Sequence, residues 1–218
     1  MANRWVRVVT TWVLCALAGS NAIAEEGSVE RYVAGTHYAV LDVPVAVRDE
    51  SKLEVVEIFS YACIHCYNFD PYVSEWKKTV AEDVDFYLVP AVFNADWERL
   101  AQAYYTAEAL GIVEAVHMRM FDGIHNRQED LRDVNVVAPI FAELGGVDEA
   151  DVHKVWGSFS VKGRVQQARA KLRAYKIDAV PTMVVNGKYR VGGRMAGSNR
   201  AILEIVDFLL AKERAERQ

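Results

Sequence analysis

Two cysteines separated by two residues, Cys63-Ile64-His65-Cys66, are the part of this 218-residue chain best suited to chemistry. Such a pair at the start of a helix can close a small disulfide ring and open it again. The attacking species is a thiolate, so whatever stabilises negative sulfur on Cys63 governs the reaction. Backbone N–H groups of a first helical turn point at that sulfur, and the helix dipole adds partial positive charge. His65 places a protonatable ring between the cysteines, able to donate to the sulfur or to charge-pair with it. Stabilising the thiolate stabilises the reduced form, which makes the disulfide a stronger oxidant. Cys63, earlier and more exposed, is expected to attack and be attacked. Cys66, one turn deeper, is expected to resolve the mixed disulfide.

Three blander readings compete. A zinc site needs about four ligands, yet there is no second cysteine pair, and His37, His117, His125 and His153 are scattered along the chain. A c-type haem site would put histidine directly after Cys66, where Tyr67 stands. A purely structural disulfide closing so short a loop would constrain the unfolded chain little. No metal and no cofactor is called for.

Two further positions join the candidate site. Glu57 sits inside an apolar segment, six residues before Cys63. As a buried acid it would have a raised pKa and could relay the proton of Cys66; as a solvent-facing strand residue it would have no role. Val180-Pro181 precedes a strand signal. It reads either as an edge-strand turn or as a cis bond that brings Val180 and Pro181 beside the cysteines, where an extended substrate could pair with the Val180 backbone.

The elements that must position these residues follow from periodicity. Residues 28–50 look extended and irregular, punctuated by Gly35 and Pro44. Leu53 to Phe59 reads as a buried central strand. The helix opened by the cysteines keeps Cys66, Phe69, Val73, Trp76 and Val80 on one face, and Pro71 is expected to kink rather than end it. Val84 to Val89 is a second strand. From Asp96 the period becomes helical, with Trp97, Leu100, Tyr104, Ala107 and Leu110 on one face and Gly111 as the stop. Helical runs follow at 112–121, 134–144, 149–156 and 161–175, with Asp148 and Ser160 as N-caps. Thr182–Val185 and Lys188–Val191 flank Asn186-Gly187, a strong hairpin signal. A helix over 198–213 closes the chain. This order predicts an α/β protein: a thioredoxin-like fold with an inserted all-helical domain. Its parts would be 25–95 and 176–218, split by the insertion 96–175.

Composition fits that architecture. With 52% hydrophobic, 11% aromatic and 25% charged residues and a net charge of −5, the chain is neither disordered nor fibrous, and it lacks a basic footprint for nucleic acid. Residues 1–24 read as a secretory signal peptide. Arg4 and Arg7 open it, an apolar stretch runs from about Val8 to Ala18, and Ala22-Ile23-Ala24 offers the cleavage site. The apolar run is short of the roughly 20 residues that span a bilayer. Cleavage after Ala24 would leave 194 residues and a charge of −7, and would remove Cys15. Export then places Cys63 and Cys66 in an oxidising compartment.

With the leader, Cys63-Ile64-His65-Cys66, Val180-Pro181-Thr182 and Val185-Asn186-Gly187-Lys188-Tyr189 in place, the sequence resembles the DsbA family of periplasmic thiol:disulfide oxidoreductases. The likeness runs from Tyr32 and Gly35-x-x-Tyr38 through Val56-Glu57-x-Phe59-Ser60 and Cys66-Tyr67-x-Phe69 to Trp156. It implies Cys63 as nucleophile, Cys66 as resolving thiol, His65 as thiolate stabiliser, Glu57 as buried acid and a cis Pro181 facing the site. It also implies a periplasmic monomer that donates disulfides to reduced exported polypeptides and is reoxidised by a DsbB-like quinone-linked membrane oxidase. Ile64 stands where proline is common in the family. The strand 84–89 lacks the lysine that some members pair with the buried acid, and Asp70 supplies an acid just after the motif. Two other functions remain in view: a disulfide reductase or isomerase, as in cytochrome maturation, and a redox-inactive peptide-binding module on the same scaffold.

Overall fold

Strand-forming and helix-forming segments alternate in the order the periodicities require. The computed structural model describes Met1 and residues 31–217, so the expected leader over 1–24 lies, apart from Met1, outside the described residues. The order is β1 (Ala39–Val40), β2 (Leu53–Phe59), α1 (Ile64–Lys77) and β3 (Val84–Pro90). Five helices follow: α2 (Ala95–Leu110), α3 (Val113–His125), α4 (Val134–Gly145), α5 (Glu149–Trp156) and α6 (Phe159–Ala174). The chain ends with β4 (Thr182–Val185), β5 (Tyr189–Gly192), a single turn α7 (Gly193–Ala196) and α8 (Asn199–Glu216).

The five strands form one mixed sheet, ordered β1-β5-β4-β2-β3. β2 lies inside it, parallel to β3 and antiparallel to β4, and all seven of its residues are buried. A run apolar on both faces needs that position, because helices or loops must cover both sides. One face carries Leu53 and Val55, which pack with Phe69, Val73 and Trp76 of α1 and Ile205 and Leu209 of α8. The other carries Val56 and Ile58, which join the core formed by α2 to α6. Glu54, buried within β2, accepts hydrogen bonds from the Arg48 backbone N–H (3.0 Å) and the Tyr175 hydroxyl (3.3 Å).

Several boundaries differ from the sequence reading for local reasons. α2 starts one residue early because Asn94 caps it, its side chain accepting from Trp97 N–H at 2.9 Å. α6 is capped by Ser158, which accepts from Val161 N–H, and not by Ser160. Asp148 occupies the N-cap position of α5 without a side-chain cap bond. α1 runs through Pro71. β5 begins at Tyr189 rather than Lys188, since Lys188 leaves the ladder: its carbonyl accepts from Leu41 N–H and its ammonium pairs with buried Glu213. The turn itself is as the dipeptide suggests, with Asn186 and Gly187 at φ +48° and +63°.

Candidate active site

β2 delivers the chain to the top of the sheet, and Ser60-Tyr61-Ala62 turns it into α1. Cys63 is the N-cap residue of that helix, in extended conformation at φ −96° and ψ 112°. Its backbone N–H donates to the Ser60 carbonyl at 3.0 Å, while its Sγ accepts from Cys66 N–H at 3.4 Å. The sulfur therefore stands where an N-cap oxygen would, against the positive end of the helix. Both cysteines are free thiols. Cys63 is half-buried and Cys66, one turn on, is fully buried. Ile64 and His65 between them are exposed.

The two sulfurs sit in opposite electrostatic environments. Hydrogen bonding from the Cys66 thiol holds the Cys63 pKa down to about 6, against an ordinary 9. Burial opposes this, and the N–H groups of Cys66 and His65 and the charge of His65 reinforce it. Cys66 is driven far upward, by burial first and then by its bond to Cys63 and the negative charges of Cys63 and Glu57. Glu57 is buried at 3% exposure on the face of β2 that α1 covers. Burial pushes its pKa up to about 8. The charges of Asp70 and Cys63 add to the rise, and Lys77 at the far end of α1 partly offsets it. Lys77 is thus a cation acting on the buried acid in a protein whose β3 offers no lysine.

Beside β2 in the sheet, the loop before β4 reaches the same place. The Val180–Pro181 bond is cis, and the Cys63 thiol lies 3.6 Å from the Val180 carbonyl, to which it donates. The Val180 N–H takes part in no backbone hydrogen bond among the described residues. Beside it opens a groove of about 730 Å³ lined by His65, Val180, Pro181, Arg190, Arg194 and Met195, among others. The structure therefore brings Cys63, His65, Cys66, Glu57, Val180 and Pro181 into one neighbourhood. Among the described residues, no group of three or more His, Cys, Asp or Glu is placed to hold a metal ion.

Sequence reasoning missed a second cluster that α3 contributes. His117 bonds Tyr61 through Nδ1 (2.9 Å) and Asp70 through Nε2 (3.1 Å). One turn further, Phe121 stacks on Tyr67 at 5.7 Å. A turn beyond that, His125 lies flat on Tyr67 at 5.4 Å, and its Nε2 donates to the Tyr61 carbonyl at 2.9 Å. His117 and His125 had looked scattered. Their i, i+4, i+8 register with Phe121 was the available signal for one shared helix face.

A cysteine at a helix N-cap, a second cysteine buried one turn on and a cis-proline loop on a mixed sheet define a thioredoxin-like disulfide oxidoreductase. Comparison with known proteins agrees. Residues 73–201 match the family model described as DSBA-like thioredoxin domain. The thiol:disulfide interchange protein DsbA of Pseudomonas aeruginosa is 37% identical over 199 residues, covering 91% of this chain and 94% of that protein. Its counterpart from Azotobacter vinelandii is 39% identical over 181 residues, covering 83% and 84%. The crystal structure of Pseudomonas aeruginosa DsbA superposes with a TM-score of 0.82 at 38% identity, covering 87% of this chain and 98% of that one. The chain belongs to the DsbA family, with the fold of that family and its thiol:disulfide oxidoreductase activity.

Proposed function

We propose that this protein introduces disulfides into exported polypeptides with Cys63 as the exchanging sulfur, Cys66 as the resolving one and Glu57 as the proton carrier between the buried sulfur and solvent. In the oxidised form, a substrate thiolate attacks Cys63 Sγ. The Cys63–Cys66 bond breaks, and Cys66 leaves into a site where its thiolate is strongly disfavoured. Protonated Glu57 supplies the proton, becoming a carboxylate as Cys66 becomes a thiol. A second substrate thiolate then attacks the substrate sulfur of the mixed disulfide. Cys63 departs as a thiolate that the helix N-terminus, Cys66 and His65 stabilise. The proton of the second substrate thiol restores Glu57. The balance is one substrate thiolate and one substrate thiol oxidised to a disulfide, with the enzyme disulfide reduced to a Cys63 thiolate and a Cys66 thiol.

Val180 and Pro181 would hold the substrate. The free Val180 N–H and its carbonyl offer strand-like pairing beside the sulfur, and the adjoining groove has room for flanking side chains. A periplasmic location, action as a monomer and reoxidation by a DsbB-like quinone-linked membrane oxidase are part of the same proposal, supported by the family resemblance. The domain division at about residues 95 and 175 belongs with them. The observation that carries the reading is the contrast between Cys63, held as an anion at the helix N-terminus, and Cys66, held as a thiol.

The test is oxidation of a reduced model protein by the Tyr32-onward protein, alongside insulin reduction and a glutathione redox titration. The reading requires oxidation that Cys63→Ser abolishes, with an oxidising midpoint. A strongly reducing midpoint would instead favour a reductase. Activity unaffected by Cys63→Ser would leave only a binding module.

A further inference from the structure

Two carboxyl groups, Glu57 and Asp70, are buried near the resolving cysteine. Glu57 enters from β2 and Asp70 from α1, one turn beyond Cys66, with exposures of 3% and 8%. The negative charge of Asp70 acts on Glu57. A like charge nearby favours the protonated form of an acid, and it does so more steadily when that charge is held in place.

The asymmetry lies in their partners. Asp70 Oδ1 faces His117 Nε2 at 3.1 Å, and the Ser74 hydroxyl donates to its other oxygen at 3.4 Å. The His117 ring is fixed on its other side, where Tyr61 can donate to Nδ1 at 2.9 Å. Its edges pack against Phe59 and Phe121, with centroids 5.3 and 5.2 Å away. An acceptor role for Nδ1 leaves the proton on Nε2, the atom aimed at Asp70, so the ring presents an N–H to that carboxylate whether neutral or cationic. Among the described residues, no side-chain hydrogen-bond donor is recorded on Glu57. Lys77 of α1 also acts on it, and pairs on the surface with Glu114 of α3 at 2.8 Å. Tyr104 of α2 and the two cysteines interact with Glu57 as well.

We propose that His117 is a positioning residue for the exchange reaction: by hydrogen-bonding Asp70 it fixes the place of the negative charge that acts on Glu57, and so helps to leave the proton on Glu57, where Cys66 needs it. This rests on the reading of Glu57 as proton carrier. His117 touches neither sulfur nor substrate; it acts through Asp70. Because it belongs to α3, the helical segment takes part in setting the proton inventory of a site otherwise built from β2 and α1.

The experiment follows the infrared band of the buried protonated carboxyl against pH in the reduced protein, with the pH profile of model-protein oxidation measured in parallel. Asp70→Asn should lower the midpoint of the band by about one unit, since the repelling charge is gone. His117→Phe fits the ring cluster but offers no N–H. It frees the Asp70 carboxyl from its fixed place beside Glu57 and should lower the midpoint by a similar amount. Asp70→Asn combined with His117→Phe should go no further than Asp70→Asn alone. His117→Gln, whose amide can reach the Nε2 position, should restore a near wild-type midpoint. A purely structural role would move stability and leave this midpoint alone. An unchanged midpoint in His117→Phe overturns the inference, and so does an unchanged one in Asp70→Asn should the His117 variants fail to fold. Glu57→Gln separates the two levels: a band that survives it sinks the proton-carrier reading and this inference together. A band that disappears in Glu57→Gln yet ignores Asp70→Asn and His117→Phe sinks only the inference.

Discussion

The thiol of Cys63 lies 3.6 Å from the carbonyl of Val180, a residue 117 positions further along the chain. That contact joins the N-cap sulfur to a stretch of backbone whose Val180 N–H takes part in no backbone hydrogen bond among the described residues. It exists because β2 and β4 are neighbours, with Ile58 opposite Thr182. The end of one strand and the start of the other therefore emerge side by side.

The electrostatic contrast between the cysteines leads to a direct titration. Thiolate absorbance of the reduced protein should rise with a midpoint near pH 6, in accord with the lowered Cys63 value. Cys63→Ser should remove that transition, leaving no thiolate until strongly alkaline pH because Cys66 is buried. A depressed thiol favours the folded reduced state increasingly as pH rises from about 6 to 9, and that contribution is lost as pH falls through 6. Denaturation of the reduced protein should show this gain; Cys63→Ser should not.

Cys66→Ser is expected to trap substrate. The variant cannot form the Cys63–Cys66 bond, so its Cys63 thiolate attacks a disulfide of oxidised substrate, releasing one substrate thiolate, and no Cys66 sulfur is there to displace the substrate that remains bonded to Cys63. Mixed disulfides should accumulate and be visible on non-reducing gels, with turnover falling at least a hundredfold. Rapid release of substrate from the variant would remove the resolving role of Cys66.

Glu57 has the opposite pH signature to Cys63. Its folded pKa of about 8 lies above the ordinary 4.5, so the native state holds a proton that the unfolded chain has already released. Stability is fully retained below about pH 4.5 and falls between there and about 8, by up to about 1.4 kcal/mol per unit. Glu57→Gln should therefore be more stable than the parent at pH 7 and equal to it near pH 4. It should also slow substrate oxidation by about tenfold to a hundredfold, the usual contribution of a positioned proton donor. A variant both faster and less stable at neutral pH would contradict the assignment.

Charge near the groove should bias substrate choice. Arg194 is exposed on its wall, with Arg190 close by. Reduced peptides with glutamate flanking the cysteine should react faster than lysine counterparts. Arg194→Glu should reverse the order by roughly two- to fivefold, as exposed charge pairs allow. Raising the salt concentration should shrink the difference.

The hairpin that anchors β4 depends on a glycine. Gly187 adopts φ +63°, and a Cβ there would stand 1.9 Å from the Val45 carbonyl oxygen. Gly187→Ala should cost about 2–4 kcal/mol, combining left-handed strain with a backbone displacement. Thermal unfolding would measure the loss, while the Cys63 titration should stay in place wherever the variant remains folded.

Much of this molecule is written in local patterns. The Cys-x-x-Cys at a helix start, the doubly apolar run of β2, the Asn-Gly turn and the helical periods of α2 to α6 all depend on residues near one another in the chain. Those are properties that periodicity and turn chemistry can report. The electrostatic setting of Cys63 was legible for the same reason: helix N–H groups up to three residues away act on it. Boundaries slipped where a neighbour outside the segment intervened, as at Lys188, drawn off its strand by Leu41 and Glu213. What no pattern could report was the meeting of distant groups. The pairing of Asp70 with His117, the clasp of Tyr61 and Tyr67 by His125 and Phe121, and the action of Lys77 on Glu57 all require α1, α3 and β2 to be packed together first. Burial and charge–charge distance are properties of that packing, so the proton balance of the site became visible only once the helices lay on the sheet.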